Sequence, residues 1–289
     1  LGFGLTHPWS VVAQIDVGCA DLRDAGLAKP RKDAEALLIS VTGLDRAALI
    51  AHPEHLVSED QRARYRALLE RRKRSEPIQY ILGEREFYGF RFAVTPAVLI
   101  PRPETEHLVE AALERIPLDA PLRIADVGTG SGAIGIAIAA NRPLAQLTAF
   151  DISAEALKVA RENAESHGVA GRIDFVEADL LDRCAAASFD LVVSNPPYIA
   201  NGERESLDAE VRDYEPEQAL FAGPTGLEVY ERLIPQAALA LRPDGWLLLE
   251  IGAGQQLQLR QLLIGWSDVN FLPDLQGIAR VVFARAPSR

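Results

Sequence analysis

The sequence contains no methionine, only two cysteines, and no apolar run long enough to span a bilayer. Cys19 and Cys184 lie far apart and fall in no metal-ligand spacing. That excludes a disulfide scaffold or a cysteine-held metal and reads as two reduced thiols in a cytosolic protein. The start has no basic segment leading into an apolar core, so no secretory signal is expected and a cytoplasmic location is. An excess of positive charge is also missing: 30 Lys and Arg stand against 41 Asp and Glu, net −11. A chain built to grip nucleic acid is usually basic, so no direct nucleic-acid substrate is expected. The missing methionine, with Leu1 first, carries no functional reading. There are no internal repeats or low-complexity tracts. What remains is a 289-residue, 48% hydrophobic chain, ordinary for a globular protein of one large domain or two smaller ones.

The charge is uneven, +2 over residues 1–75 and −13 over the rest. Residues 1–76 read as a small helical domain for substrate docking. Asp33 and Glu35 open one amphipathic stretch with acids in the first turn, as the helix dipole prefers. Ser58-Glu59-Asp60-Gln61 has the form of a capping box. It opens a helix to Arg74 with Tyr65, Leu68 and Leu69 on the apolar side. The same helix carries Arg62, Arg64, Arg66, Arg71, Arg72, Lys73 and Arg74. They read first as a solvated face suited to a helix C-terminus, and second as a contact surface for an acidic protein or RNA. Residues 77–100 read as a β-hairpin linker with a glycine turn. In Ile100-Pro101-Arg102-Pro103-Glu104, Pro103 and Glu104 suit a helix start. Arg102 between two prolines has a stiff mounting.

Residues 101–289 alternate strand and helix, which predicts a parallel sheet with helices on both faces. The strand Leu122–Val127 runs into Gly128-Thr129-Gly130-Ser131-Gly132 and then a buried helix. Alternate glycines allow close backbone approach to a ligand and could offer N–H groups to it. Asp151 ends the next strand, 23 residues after Gly128. A carboxylate there can accept both hydroxyls of a ribose. Gly130-Ser131-Gly132-Ala133-Ile134-Gly135 also fits the dinucleotide fingerprint. Three features favour S-adenosyl-L-methionine over a dinucleotide. Asp126 before the loop would repel a pyrophosphate and welcome a methionine ammonium. Asp179 after the third strand can accept the adenine amino group. The fourth strand, Phe189–Ser194, ends in Asn195-Pro196-Pro197-Tyr198.

Two successive prolines cannot continue a strand, so the chain leaves the sheet there, where open α/β sheets bind ligands. The Asn195 side-chain oxygen and the Pro196 carbonyl can together accept both hydrogens of one planar NH2 group. Tyr198 can pack on its face. Such a nitrogen is a poor nucleophile because its lone pair is delocalised. Two fixed acceptors would aim it and stabilise the positive charge it gains on methylation. No strong base is needed, since the methylated nitrogen is acidic enough to lose its proton to water.

The Asn195–Tyr198 tetrapeptide with the glycine loop resembles the class I methyltransferases of exocyclic and amide nitrogens. Pro77-Ile78-Gln79-Tyr80-Ile81-Leu82-Gly83-Glu84, Ile100–Glu106, Tyr214-Glu215-Pro216 and Ala219-Leu220-Phe221 narrow this. From about residue 10 to 285 the chain resembles the HemK/PrmC family, glutamine methyltransferases of peptide chain release factors. The resemblance implies an α/β fold, a Rossmann-like seven-stranded methyltransferase domain behind a small N-terminal helical domain. It implies a role in translation termination through protein methylation, with the glutamine of a Gly-Gly-Gln loop as substrate. It places Gly128–Gly132, Asp151, Leu180 and Asn195 on the cofactor, and Asn195, Pro196, Pro197 and Tyr198 on the glutamine. Arg102 and Glu104 would line the site. Leu180 departs from members with an aromatic residue stacked on adenine. No metal is implied, and a monomer is expected. The runner-up is an adenine-amino DNA or RNA methyltransferase, which needs the same NH2 clamp. A non-enzymatic binding module and a nicotinamide oxidoreductase rank below it.

Overall fold

The computed structural model describes residues 7–287, which divide into two compact units. The first comprises residues up to 83 together with 209–214; the second comprises 84–208 and 215 onward.

The first unit is helical: α1 (Val11–Asp24), α2 (Pro30–Thr42), α3 (Arg46–Ala51), α4 (Glu59–Lys73) and α5 (Ile78–Leu82). The capping box forms: Ser58 Oγ accepts from the Gln61 N–H at 3.2 Å, and Gln61 Oε1 accepts from the Ser58 N–H at 3.0 Å. Tyr65 and Leu69 are buried among Val11, Ile15, Leu22, Leu37 and Leu38. The Tyr65 hydroxyl donates to the Ala34 carbonyl at 3.2 Å. The expected solvated face of α4 is corrected at two positions. Arg72 is buried and paired with Asp33 and Glu210, and Arg62 lies over the Trp9 ring while donating to the Val57 carbonyl. Arg64, Arg71 and Lys73 pair with Asp60, Glu76 and Glu70.

The linker expected over 77–100 also differs. Pro77 caps α5, Tyr80 and Ile81 are buried, and Gly83 closes the helix at φ 77°. The hairpin is confined to β1 (Glu84–Phe87) and β2 (Phe90–Ala93). Tyr88 and Gly89 turn it with φ of 49° and 74°, the two positive values a tight hairpin turn requires. It is bound to the body of its unit: Asn163 bonds both the N–H and the carbonyl of Ala93, and Glu106 accepts from the Tyr88 N–H.

The second unit continues with α6 (Glu106–Arg115), β3 (Arg123–Val127), α7 (Ala133–Asn141), β4 (Gln146–Asp151), α8 (Ala154–Ser166), β5 (Ile173–Glu177) and β6 (Phe189–Ser194). The stretch 199–226 holds β7 (Ile199–Ala200), α9 (Ala209–Tyr214, of the first unit), α10 (Glu217–Leu220) and β8 (Phe221–Gly223). Then come α11 (Glu228–Ala240), β9 (Leu241–Glu250), α12 (Gln256–Leu262), β10 (Ser267–Pro273) and β11 (Ala279–Arg285). The seven-stranded sheet runs β10-β11-β9-β6-β3-β4-β5, with β11 antiparallel to both neighbours and β9 to β5 parallel. Its residues alternate between two apolar layers: Ile124, Leu191, Val193 and Leu248 face one, and Ala125, Val192, Leu247 and Leu249 the other. After β3 the chain adds β4 and β5 on one side and β6 on the other. The ends of β3 and β6 therefore form the switch point where such sheets bind ligands.

Candidate active site

A cavity of about 360 Å³ opens at that switch point. Arg102, Thr105, Gly128, Thr129, Gly130, Ser131, Asp151, Asp179, Leu180, Asn195 and Pro197 border it. Asp126, Gly132, Pro196 and Tyr198 do not.

The glycine loop is held from behind. Gly128 and Thr129 both donate to the Phe150 carbonyl, and Gly130 donates to Asp151 Oδ2 at 2.9 Å. The Gly132 N–H goes to the Thr129 carbonyl. These four N–H groups are thus not on offer, which narrows the expectation that the loop presents its N–H groups to a ligand. What the loop offers is space: Gly128 and Gly130 sit at φ 69° and 55°, and a Cβ on either would meet no protein atom within 4 Å.

Asp126 is the second correction. Its carboxylate is fully buried and does not reach the cavity. Oδ2 accepts from the Thr129 hydroxyl at 2.7 Å and the Gly135 N–H at 3.0 Å, while Oδ1 has no partner among the described residues. Burial, opposed by those two bonds, pushes its pKa up to about 6. Asp126 therefore ties the loop to α7 and has no direct line to an ammonium group. Asp151 does face the cavity. Each of its oxygens accepts one backbone N–H, from Gly130 and Ser153, and spare lone pairs remain for a ligand's hydroxyls. Asp179 is paired with Arg232, which lessens its freedom to take an adenine amino group. Leu180 lies beside it at φ 58°, a costly conformation for a leucine that suits a site wall. The residues present fit an adenosine-type ligand: an open glycine cradle, one carboxylate with spare acceptor capacity, and apolar walls from Ile134, Ile152, Ala178 and Leu180.

At the other end, Asn195 Nδ2 donates to Thr105 Oγ1 at 3.2 Å. Its Oδ1 has no hydrogen-bond partner among the described residues and keeps accessible surface. Thr105 Oγ1 in turn donates to Glu250 Oε2 at 2.6 Å, and the Tyr198 hydroxyl donates to Glu250 Oε1 at 3.4 Å. Tyr198 is thereby drawn toward Glu250, and the expectation that its ring faces the substrate nitrogen is corrected to that extent. Its carbonyl is held by Gln255 Nε2 at 3.0 Å. Burial pushes the Glu250 carboxyl up to about 7. Ser194 Oγ bonds the Val127 carbonyl at 2.7 Å, fastening the ends of β6 and β3. Arg102 is fixed by the buried Glu215, which also accepts from the Ile100 N–H.

Family models match residues 15–83 as a PrmC N-terminal domain and residues 105–211 as a methyltransferase small domain. A release factor glutamine methyltransferase of Koribacter versatilis is 42% identical over 274 residues, covering 94% of this chain and 97% of that protein. One of Chlorobaculum tepidum is 44% identical over 283 residues, covering 94% and 96%. The chain belongs to the release factor glutamine methyltransferase family. Among solved structures, the hMettl16 catalytic domain in complex with an RNA hairpin shares 18% identity and a TM-score of 0.53, covering 78% of this chain and 82% of that one. A methyltransferase from Pyrococcus furiosus shares 19% identity and a TM-score of 0.50, covering 70% and 91%. At such identities these two show the methyltransferase fold alone.

Among the residues of this family member that sequence reasoning missed, Thr105 and Glu250 matter most. Glu250 ends the apolar run Leu247-Leu248-Leu249, and a carboxylate at the end of a buried strand was the available signal. Thr105 gave none, because its hydroxyl acts through partners 90 and 145 positions on.

Proposed function

We propose that this methyltransferase acts on the side-chain amide nitrogen of the glutamine in the Gly-Gly-Gln motif of peptide chain release factors, as a cytoplasmic monomer serving translation termination. S-adenosyl-L-methionine, held by Asp151 and the glycine cradle, would supply an electrophilic methyl group. The observation that carries this reading is the Asn195 amide: its NH2 is held by Thr105 while its oxygen has no hydrogen-bond partner among the described residues. With the Pro196 carbonyl as a second acceptor, that oxygen would suit the two hydrogens of an amide NH2. The two acceptors aim the nitrogen and stabilise the positive charge it develops. Proton release to water then leaves the neutral N-methyl amide. Arg102 and Pro197 border the same cavity and suit contacts to the rest of the glutamine loop.

The test supplies labelled S-adenosylmethionine with a release factor, the same factor with its glutamine replaced, and adenine-rich DNA in parallel. Label is expected in the intact factor alone, and Asn195→Ala is expected to abolish it with little change in cofactor affinity. Label in the DNA and none in the factor would hand the site to the adenine-amino reading.

A further inference from the structure

We infer that Glu250 and Thr105 are positioning residues that decide which end of the Asn195 amide faces the reacting nitrogen. This rests on the reading of Asn195 Oδ1 as an acceptor for the substrate amide. The parallel register pairs Ser194 with Leu249, so Glu250 lies level with Asn195 at the ends of adjacent strands. Thr105, just ahead of α6, bridges them. Glu250 is 2% exposed and Thr105 4%, so bulk water does not stand in for either partner.

The direction of this chain follows from counting hydrogens. A hydroxyl has one hydrogen, and Glu250 in its ionised form, which prevails above about pH 7, can only accept. The hydrogen of Thr105 therefore goes to Glu250 Oε2, leaving only lone pairs toward Asn195. Only the NH2 end of the Asn195 amide can satisfy a lone pair, so Oδ1 turns to the other side. A neutral group at 250 that donates to Thr105 reverses each link. The Thr105 hydrogen then points at Asn195, the amide flips, and its NH2 meets the substrate NH2, donor against donor. Tyr198 donates to the other carboxylate oxygen and holds Glu250 in its rotamer.

The experiment compares Glu250→Gln, Asn195→Asp and their combination in the full-length chain. It measures kcat and KM for the release factor, cofactor affinity, and binding of a Gly-Gly-Gln peptide without cofactor. Glu250→Gln reverses the chain. Asn195→Asp sets two carboxylates against one hydroxyl hydrogen. Each alone is expected to lower kcat by roughly 100-fold, the scale of losing one fixed transition-state dipole, and to weaken peptide binding while cofactor affinity holds. The double variant should recover to within about tenfold of wild type, because the reversed chain then ends on a carboxylate oxygen that can only accept. Should the glutamine variant not fold, Thr105→Ser is expected to keep wild-type kcat and peptide binding, and Thr105→Val to lose both. Wild-type kcat in Glu250→Gln, losses that simply multiply in the double variant, or equal behaviour of the two Thr105 variants would overturn the inference. A wild-type protein that leaves the glutamine unmethylated would instead sink the functional reading itself.

Discussion

Asp126 illustrates how one carboxylate can serve a ligand site without touching the ligand. Its Oδ2 collects the Thr129 hydroxyl and the Gly135 N–H, so the loop is fixed to the helix that follows it. A Cβ at Gly135 would fall 2.8 Å from that oxygen, so the approach depends on glycine. Asp126→Ala strips two buried donors of their partner. It is expected to lower stability by about 2–6 kcal/mol, since each of the two orphaned buried groups costs about 1–3 kcal/mol, and to loosen cofactor binding through the loop. Urea unfolding should show a lower midpoint at unchanged slope; a midpoint equal to wild type would refute the tether. From the sequence, Asp126 read as a ligand contact because its position before the loop is visible and its direction is not. The place of Asp151 on the cavity wall, by contrast, was legible. The residue ends a strand, and a strand end at the switch point has only the cavity to face.

The helical elements give a case where two rules of opposite sign meet. Gly18 lies inside α1, and glycine in a helix interior is about 1 kcal/mol worse than alanine. Propensity alone therefore predicts that Gly18→Ala stabilises. A Cβ there would lie 2.2 Å from the Tyr65 hydroxyl, and overpacking of that kind costs about 1–3 kcal/mol. The buried Tyr65 also cannot withdraw without losing its bond to Ala34. The net expectation is destabilisation of roughly 1–2 kcal/mol, relieved in part when Tyr65→Phe removes the clashing oxygen. A rise in thermal midpoint for Gly18→Ala would show that α1 and α4 are not in close contact at this position. The extent of α5 makes a related point. Pro77, the apolar run and Gly83 fit a hairpin start or a one-turn helix equally well by pattern. Burial of Ile81, with Ile78 and Leu82, on the helical unit's core decided for helix.

At the scale of the whole molecule, buried carboxylates couple stability to pH. Glu250 is raised from 4.5 to about 7, by burial first and against the bonds from Thr105 and Tyr198. Glu104 adds to the rise and Arg280 opposes it. A carboxylate with a raised folded pKa binds more protons folded than unfolded across that interval. Its contribution is therefore fully present below the unfolded pKa and is lost as pH rises through the folded one. Wild type should lose stability relative to Glu250→Gln between about pH 5 and about pH 8, by up to ~3 kcal/mol. Denaturant unfolding of both proteins at the two pH values checks this, and a difference that stays flat with pH would mean that Glu250 titrates as an exposed acid. No helix among the described residues is long and apolar enough to cross a membrane, in keeping with the missing apolar runs.

The sequence by itself determined the alternation of strand and helix, the glycine loop before α7, the acid at the end of β4 and the Asn-Pro-Pro-Tyr exit from β6. Each of these is local: a period, a turn residue or a strand breaker acts within a few positions of itself, and its effect survives translation into any surroundings. Only the tertiary structure decided that Asp126 turns inward, that Arg72 is buried between Asp33 and Glu210, and that Glu250 reaches Asn195 through Thr105. Those outcomes depend on which donors and acceptors are left without water once distant segments pack. A hydrogen bond between positions 105 and 250 leaves no mark on the spacing of either.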